Sequence, residues 1–196
     1  MNLPDIKALP FQAVGPLVAW PDAFTSQECD AIVDYGDGLR PMKAELAGRE
    51  DNVEHLRITR VAWIENRPEI AWLYERLTAM VMQINAECYR YDLYGLKESF
   101  QYAVYEGSEG SYFGWHIDMG EKRHQPRKIS LSLQLSEPSD YEGGDLVLEA
   151  GHGPLRASKA RGTLIAFPSY VLHRVVPVAV GIRKSLVIWV AGPEFR

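Results

Sequence analysis

Two histidines and an aspartate carry the strongest chemical signal in this chain. His116 and Asp118 lie in Gly114-Trp115-His116-Ile117-Asp118. In an extended segment, residues i and i+2 point to the same face. An imidazole nitrogen and a carboxylate oxygen can therefore converge on one point. His173, in Pro168-Ser169-Tyr170-Val171-Leu172-His173, adds a third donor if a sheet folds back on itself. Two histidines and one carboxylate on one face of a metal leave the opposite face open, which is the facial triad of non-haem Fe(II) oxygen chemistry. The H-x-D triplet alone is weak, since a surface histidine beside an acid gives the same pattern.

Arg183 strengthens the pattern. It follows His173 by ten residues, in Gly181-Ile182-Arg183-Lys184-Ser185. A strand leading from His173, a turn near Gly181 and a returning strand would put Arg183 beside that histidine. A guanidinium fork there can hold a carboxylate bidentately. Ser185 shares its strand face and can add a hydroxyl donor. A lone arginine at a turn is ordinarily a solvated charge. The ordered set of H-x-D, His and Arg is far more specific than any one piece.

The elements that must position these groups follow from hydrophobic period. Pro4, Pro10 and Pro16 keep the first 20 residues extended, with an edge strand expected around Gly15 to Trp20. Thr25-Ser26-Gln27-Glu28 fits a capping box. Cys29, Ile32 and Val33 give that helix its apolar face, and Gly36 and Gly38 are expected to end it. Residues 40–57 read as a polar surface loop and a candidate lid, followed by a strand from Ile58 to Ile64. Asn66 is the expected cap of a second helix with Pro68 in its first turn. Its stripe of Ile70, Leu73, Leu77, Met80, Val81 and Ile84 runs to about Glu87. The period then changes to two. Phe100, Tyr102 and Val104 alternate with Gln101, Ala103 and Tyr105. Ile129, Leu131, Leu133 and Leu135 alternate with Ser130, Ser132, Gln134 and Ser136, giving one dry and one polar face. Short strands are expected at 145–149, 163–167, 171–176 and 185–191, separated by turn signals, so a sandwich, barrel or jelly roll is indicated. We read residues 1–196 as a single domain, with a helix-bearing part at 1–95 and a catalytic β-core at 96–193.

Composition sets the class. The chain has 196 residues, 46% hydrophobic, 11% aromatic and 24% charged. That is ordinary for a globular domain and too apolar for disorder. A formal net charge of -5 argues against nonspecific nucleic-acid binding. Cys29 and Cys88 fit no zinc spacing and read as reduced thiols, with a cytoplasmic location expected. There is no signal-peptide pattern, and no apolar stretch approaches a membrane span. Lys122, Arg123, His124, Arg127 and Lys128 form a basic cluster, read as a solvated loop or as the mouth of the site. Trp115 reads equally as core or as channel wall. His152 is expected in a turn, and His55 in the polar loop.

The chain resembles the 2-oxoglutarate and Fe(II)-dependent dioxygenases, and most of all the prolyl 4-hydroxylase-like group that includes PKHD-type hydroxylases. The resemblance covers residues 98 to 193. It rests on Tyr105-Glu106-Gly107, Gly114-Trp115-His116-Ile117-Asp118, Leu133-Gln134-Leu135-Ser136, Tyr141-Glu142-Gly143-Gly144-Asp145-Leu146, Gly162 to Pro168, His173-Arg174-Val175 and Arg183-Lys184-Ser185. It implies a double-stranded β-helix, mainly β with flanking α, whose N-terminal helices pack on one sheet. It implies His116, Asp118 and His173 as Fe(II) ligands, with Arg183 on the C5 carboxylate of 2-oxoglutarate. Tyr105 inherits a co-substrate contact, with Tyr102 or Tyr112 as the fallback. O2 is the co-substrate and ascorbate a candidate reductant. The outcome is hydroxylation of an unactivated C–H with release of succinate and CO2. Related halogenases lack the carboxylate, so Asp118 favours hydroxylation. Arg183 stands where many collagen-type enzymes use lysine, which moves the expectation away from collagen-like substrates. PKHD-type chains often carry a further C-terminal helical segment, and this chain stops at Arg196.

The leading substrate class is a prolyl or other residue of a peptide or protein. The same chemistry on a free amino acid or small metabolite is the alternative. A cupin-like ligand-binding module is the non-enzymatic alternative, and a nucleic-acid demethylase is disfavoured by the charge. No nucleic-acid or membrane partner is expected, and the oligomeric state is open.

Overall fold

The run of alternating residues after Pro126 becomes the centre of the molecule. A computed structural model describes residues 9–44, 56–119, 126–151 and 153–194. His55, His152, Lys122, Arg123, His124 and most of the 40–57 loop lie outside the described residues. In chain order the elements are β1 (Gln12–Val14), β2 (Leu17–Trp20), α1 (Ser26–Gly38), β3 (Met42–Lys43), β4 (Arg57–Ile58), β5 (Arg60–Ile64), α2 (Ala71–Ile84), β6 (Gly95–Leu96), β7 (Phe100–Glu106) and β8 (Tyr112–His116). They continue with β9 (Arg127–Gln134), β10 (Tyr141–Gly143), β11 (Leu146–Glu149), β12 (Pro154–Arg156), β13 (Leu164–Pro168), β14 (His173–Val175) and β15 (Val178–Ala191).

Two antiparallel sheets face each other. The larger runs β1-β2-β13-β9-β15-β7-β5-β3, with β10 and β6 also pairing to β15. The smaller runs β12-β11-β14-β8-β4. This is the double-stranded β-helix expected from the resemblance. One apolar layer, with Ile129, Leu131, Leu133, Leu186 and Ile188, lies between the larger sheet and the helices. A second, with Ala103, Tyr105, Leu148, Phe167 and Val175, lies between the sheets. β9 is central, so all eight of its residues are buried and its polar face points into the molecule rather than to solvent.

The helices close the outer face of the larger sheet. Thr25 Oγ1 accepts from Glu28 N and Glu28 Oε2 accepts from Thr25 N, so the capping box forms. Arg76 of α2 reaches across to Glu28 and donates to the Ala23 carbonyl at 2.6 Å, tying the helices together. The predicted stripe of α2 is buried throughout. Several local expectations change. Gly36 does not end α1, because the helix continues to Gly38; a Cβ at Gly36 would lie 2.6 Å from the Tyr102 ring, so close packing requires glycine there. The turn before α2 starts at Arg67 rather than Asn66 and has no side-chain cap. The strand expected around Gly15 to Trp20 is not an edge: as β2 it pairs with β1 on one side and β13 on the other, and β1 takes the edge. The segment from Arg57 to Ile64 splits at Thr59, with β4 in the smaller sheet and β5 in the larger. Thr59 Oγ1 donates to the Val104 carbonyl at 2.8 Å where the chain changes sheet.

The largest correction concerns β15. It begins at Val178 and runs through Gly181, so the turn after β14 falls near Pro177. Gly181 has φ +77 while paired with Tyr141, and a Cβ there would meet the Asp140 carbonyl at 1.9 Å. It bends a continuous strand instead of reversing it. Cys29 and Cys88 are both free. No helix among the described residues is long and apolar enough to cross a membrane.

Candidate active site

The smaller sheet brings the two histidines together. His173 of β14 and His116 of β8 are direct register partners. Their ring centroids are 4.1 Å apart. Asp118 follows two residues after β8 ends, and its N–H donates to the Ser169 carbonyl at 2.9 Å. One donor atom from each of His116, Asp118 and His173 lies within 4.8 Å of the others.

Backbone carbonyls set the tautomers. His116 Nδ1 lies 2.8 Å from the Gly114 carbonyl and His173 Nδ1 lies 2.9 Å from the Val171 carbonyl. A carbonyl only accepts, so each Nδ1 carries a proton and each Nε2 is the nitrogen turned toward the site. His116 Nε2 is 3.7 Å from Asp118 Oδ1, and His173 Nε2 is 3.5 Å from Asp118 Oδ2. These gaps are too long for hydrogen bonds and suit an ion between the groups. Burial and the neighbouring His173 push the His116 pKa down to about 4, so this imidazole is neutral at neutral pH. Burial pushes Asp118 up, but His173, His116, Trp189 and Ser130 together hold it below the ordinary carboxylate value. Two imidazoles with Nε2 atoms aimed at one point and an ionised carboxylate form a donor set that fits a divalent metal. Phe113 stacks on His116 with centroids 3.5 Å apart, and Phe167 packs edge-on against His173.

Arg183 lies in the same cleft on β15. It is 2% exposed, and β7 places Tyr105 directly opposite it. Its Nη1 donates to Ser185 Oγ at 3.2 Å and its Nη2 to Gln134 Oε1 at 3.0 Å, while Nε has no partner. Among the described residues no carboxylate pairs with it, so a buried cation is left with neutral partners. That is costly unless an anion enters from outside. The Tyr105 ring lies 5.2 Å beneath the guanidinium. Gly144, at φ +62, admits the Arg183 side chain: a Cβ there would lie 2.9 Å from Arg183 Cδ. The cleft measures about 440 Å³, open solvent at its mouth included, and holds His116, Asp118, His173, Arg183, Ser185 and Tyr105 together.

Two fallback residues lie elsewhere. Tyr102 points to the helix side, where its hydroxyl donates to Asp37 at 2.8 Å, and Tyr112 does not line the cleft. Trp115 is neither core nor wall: it is 39% exposed and lies under the Arg174 guanidinium on the outer side. Arg127 and Lys128 are not solvated. Both are buried at the start of β9, with Arg127 stacked 3.6 Å over Trp189 and bound by both Glu98 oxygens at 2.7 and 2.6 Å.

Sequence reasoning missed several lining or supporting groups. Ser130 donates to Asp118 at 2.8 Å, Gln134 braces Arg183, and Trp189 closes the cleft near Asp118. The Trp189 indole N–H lowers the Asp118 pKa but makes no hydrogen bond of normal geometry. Arg57 is buried over Phe113, with Nε and Nη2 unpartnered. The serine and glutamine signal was visible as a polar face; what hid its role was that both faces of β9 are interior.

Residues 100–191 match the family model of the 2OG-Fe(II) oxygenase superfamily. A PKHD-type hydroxylase of Synechococcus sp. (strain CC9902) is 38% identical over 81 residues, which is 41% of this chain and 36% of the relative. One from Idiomarina loihiensis is 37% identical over 92 residues, 45% of this chain and 42% of the relative. The matches thus span well under half the length of these curated relatives. The fold is similar to a Pseudomonas putida prolyl-4-hydroxylase, with TM-score 0.71 and 19% identity over 93% of this chain and 95% of that one. It is also similar to a Trichoplax adhaerens prolyl hydroxylase in complex with a hypoxia inducible factor peptide fragment, with TM-score 0.74 and 21% identity over 91% and 84%. Over residues 100–191 the chain is thus similar to the 2OG-Fe(II) oxygenase superfamily, and the curated relatives it resembles there are PKHD-type hydroxylases.

Proposed function

We propose that the protein is an Fe(II)- and 2-oxoglutarate-dependent dioxygenase. It hydroxylates an unactivated C–H of a prolyl or other residue in a peptide or protein, releasing succinate and CO2. The carrying observation is that one cleft holds a three-donor metal set and a buried guanidinium that, among the described residues, pairs with no carboxylate. His116, Asp118 and His173 hold the iron. Arg183 and Ser185 take the distal carboxylate of 2-oxoglutarate, and Tyr105 orients the co-substrate beside them. Iron and 2-oxoglutarate, when bound, supply the oxidising chemistry with O2; ascorbate serves as reductant. Asp118 keeps a carboxylate where a halide would otherwise bind. Phe113, Phe167 and Leu146 line the cleft and limit water there.

Residues 1–95 and 96–193 work as one domain in this reading, since α1 and α2 cover the sheet that carries Arg183. The peptide substrate is supported by the Trichoplax neighbour, which holds a peptide fragment. The test is aerobic turnover with Fe(II), 2-oxoglutarate and proline-containing peptides. Succinate formed in step with a 16 Da gain on peptide supports the proposal. Equal gain on free proline alone would move the substrate to a small molecule. No succinate under any condition would favour a cupin-like binding module.

A further inference from the structure

Asp118 meets the two histidines with different oxygens. Oδ1 is 3.7 Å from His116 Nε2, and Oδ2 is 3.5 Å from His173 Nε2. Both oxygens are within reach of an ion between the rings. The triad itself therefore does not decide whether the carboxylate binds through one oxygen or two.

We propose that Ser130, backed by Ser169, is a positioning residue that holds Asp118 to one-oxygen binding. The inference rests on the metal reading of the site given above. Ser130 Oγ donates to Asp118 Oδ2 at 2.8 Å. Ser130 Oγ also lies 2.9 Å from Ser169 Oγ. A hydroxyl has one proton. The carboxylate can only accept, so the Ser130 proton goes to Asp118 and the proton between the serines comes from Ser169. The relay thus has one direction, Ser169 to Ser130 to Asp118. Both serines are fully buried, so water does not compete for these bonds.

The relay joins the pieces that carry the ligands. Ser130 lies on β9, opposite Phe167 of β13. Ser169 follows β13 directly, and its carbonyl takes the Asp118 N–H. Ser169 N donates to the Lys128 carbonyl at 3.0 Å. The Asp118 loop is therefore fastened at its backbone and at one carboxylate oxygen. Held at Oδ2, the carboxylate offers Oδ1 to the metal. An ion held by three protein atoms would keep open positions for exogenous ligands. A carboxylate free to bind through both oxygens takes one of those positions.

The test uses the metal-free full chain with Mn(II) as probe, counting free Mn(II) by its EPR signal. Partners of this kind change metal affinity by about 10–100-fold. S130A is expected to bind Mn(II) that much more weakly and to show an altered Co(II) d–d spectrum. S130T keeps the hydroxyl and is expected to stay near wild type in both readouts. S169A is expected to fall between. A merely structural loss would not be rescued by threonine and would leave the Co(II) bands unchanged. S130A matching wild type in both readouts, while D118A loses binding, overturns the role of Ser130 and leaves the metal site standing. Absence of Mn(II) and Co(II) binding in wild type overturns the metal reading itself, and this inference with it. If S130A does not fold, S169A decides: weaker binding supports the relay, and unchanged affinity and spectrum overturn it.

Discussion

His116 and His173 are 57 residues apart in sequence and directly opposed in register across β8 and β14. Directly opposed residues in an antiparallel pair have Cβ atoms about 4.5–5.5 Å apart. The spacing between the two imidazoles is thus a property of the sheet. A register irregularity follows between His173 and Val175. Irregularities of this kind re-aim side chains beside active sites. Since backbone carbonyls already fix both tautomers, the site is organised before any ion arrives.

Acid should destabilise the metal-free protein earlier than ordinary carboxylate titration would. Burial and His173 lower the His116 pKa from 6.5 to about 4. The unfolded chain therefore takes up a proton at this position before the folded one does. The folded state is fully favoured above pH 6.5, and the contribution is lost as pH falls from 6.5 to 4. The shift corresponds to roughly 3 kcal/mol. Asp118, with its lowered pKa, adds a further loss below the ordinary aspartate range. Urea denaturation from pH 7.5 to 4.5 should show this slope, and His116→Gln should flatten it. An identical slope in the variant would contradict the assignment.

Arg183→Ala should remove 2-oxoglutarate binding while sparing the metal. Truncating one partner of a buried, hydrogen-bonded charge pair costs about 2–5 kcal/mol. Calorimetric titration of 2-oxoglutarate into Mn(II)-loaded protein should therefore show at least a ~30-fold loss. Arg183→Lys should recover only part of it, because a point charge cannot reproduce the fork. Unchanged affinity in the alanine variant would place the anion elsewhere.

Gly36→Ala should destabilise the protein although alanine is the better helix former. The propensity gain is about 1 kcal/mol. The new Cβ would lie 2.6 Å from the Tyr102 ring, whose hydroxyl is held by Asp37. Overpacking of this kind costs about 1–3 kcal/mol. A lower denaturation midpoint with unchanged m-value is expected. A raised midpoint would mean that β7 and α1 separate readily.

Glu98→Ala should loosen one wall of the cleft. It would leave the buried Arg127 guanidinium, stacked on Trp189, without its carboxylate. Breaking a buried pair costs about 3–5 kcal/mol, reduced here because Glu98 is partly exposed. Lower stability should come with a changed tryptophan emission. Stability within 0.5 kcal/mol of wild type, about the scatter of ordinary surface substitutions, would show that the stack holds without the ion pair.

Much of this was legible in the sequence, for identifiable reasons. Strand alternation in β7 and β9, the α2 stripe and the Thr25 capping box are local patterns, and local physics sets them. His116 and Asp118 sit two residues apart, so their convergence needs only an extended backbone. Arg183 came to the cleft by a different route from the one its spacing suggested. Gly181 was expected to turn the chain, but Tyr141 of β10 pairs with it and keeps β15 continuous. Gly36 was expected to stop a helix, and its use for Tyr102 depends on a residue 66 positions away. Ser130 and Gln134 formed a visible polar face, yet only the closing of the second sheet turns that face inward. Arg127 and Lys128 looked solvated by charge alone, since the burial of each depends on distant aromatic rings, Trp189 and Tyr91.

The most direct measurement is an anaerobic titration of the metal-free protein with Fe(II) and 2-oxoglutarate, followed by the weak visible charge-transfer band of a chelated 2-oxo acid. Asp118→Ala and Arg183→Ala run beside it. The account predicts a band in wild type that is lost in Asp118→Ala and lost or weakened in Arg183→Ala. Folded wild-type protein that binds metal but shows no band would contradict it.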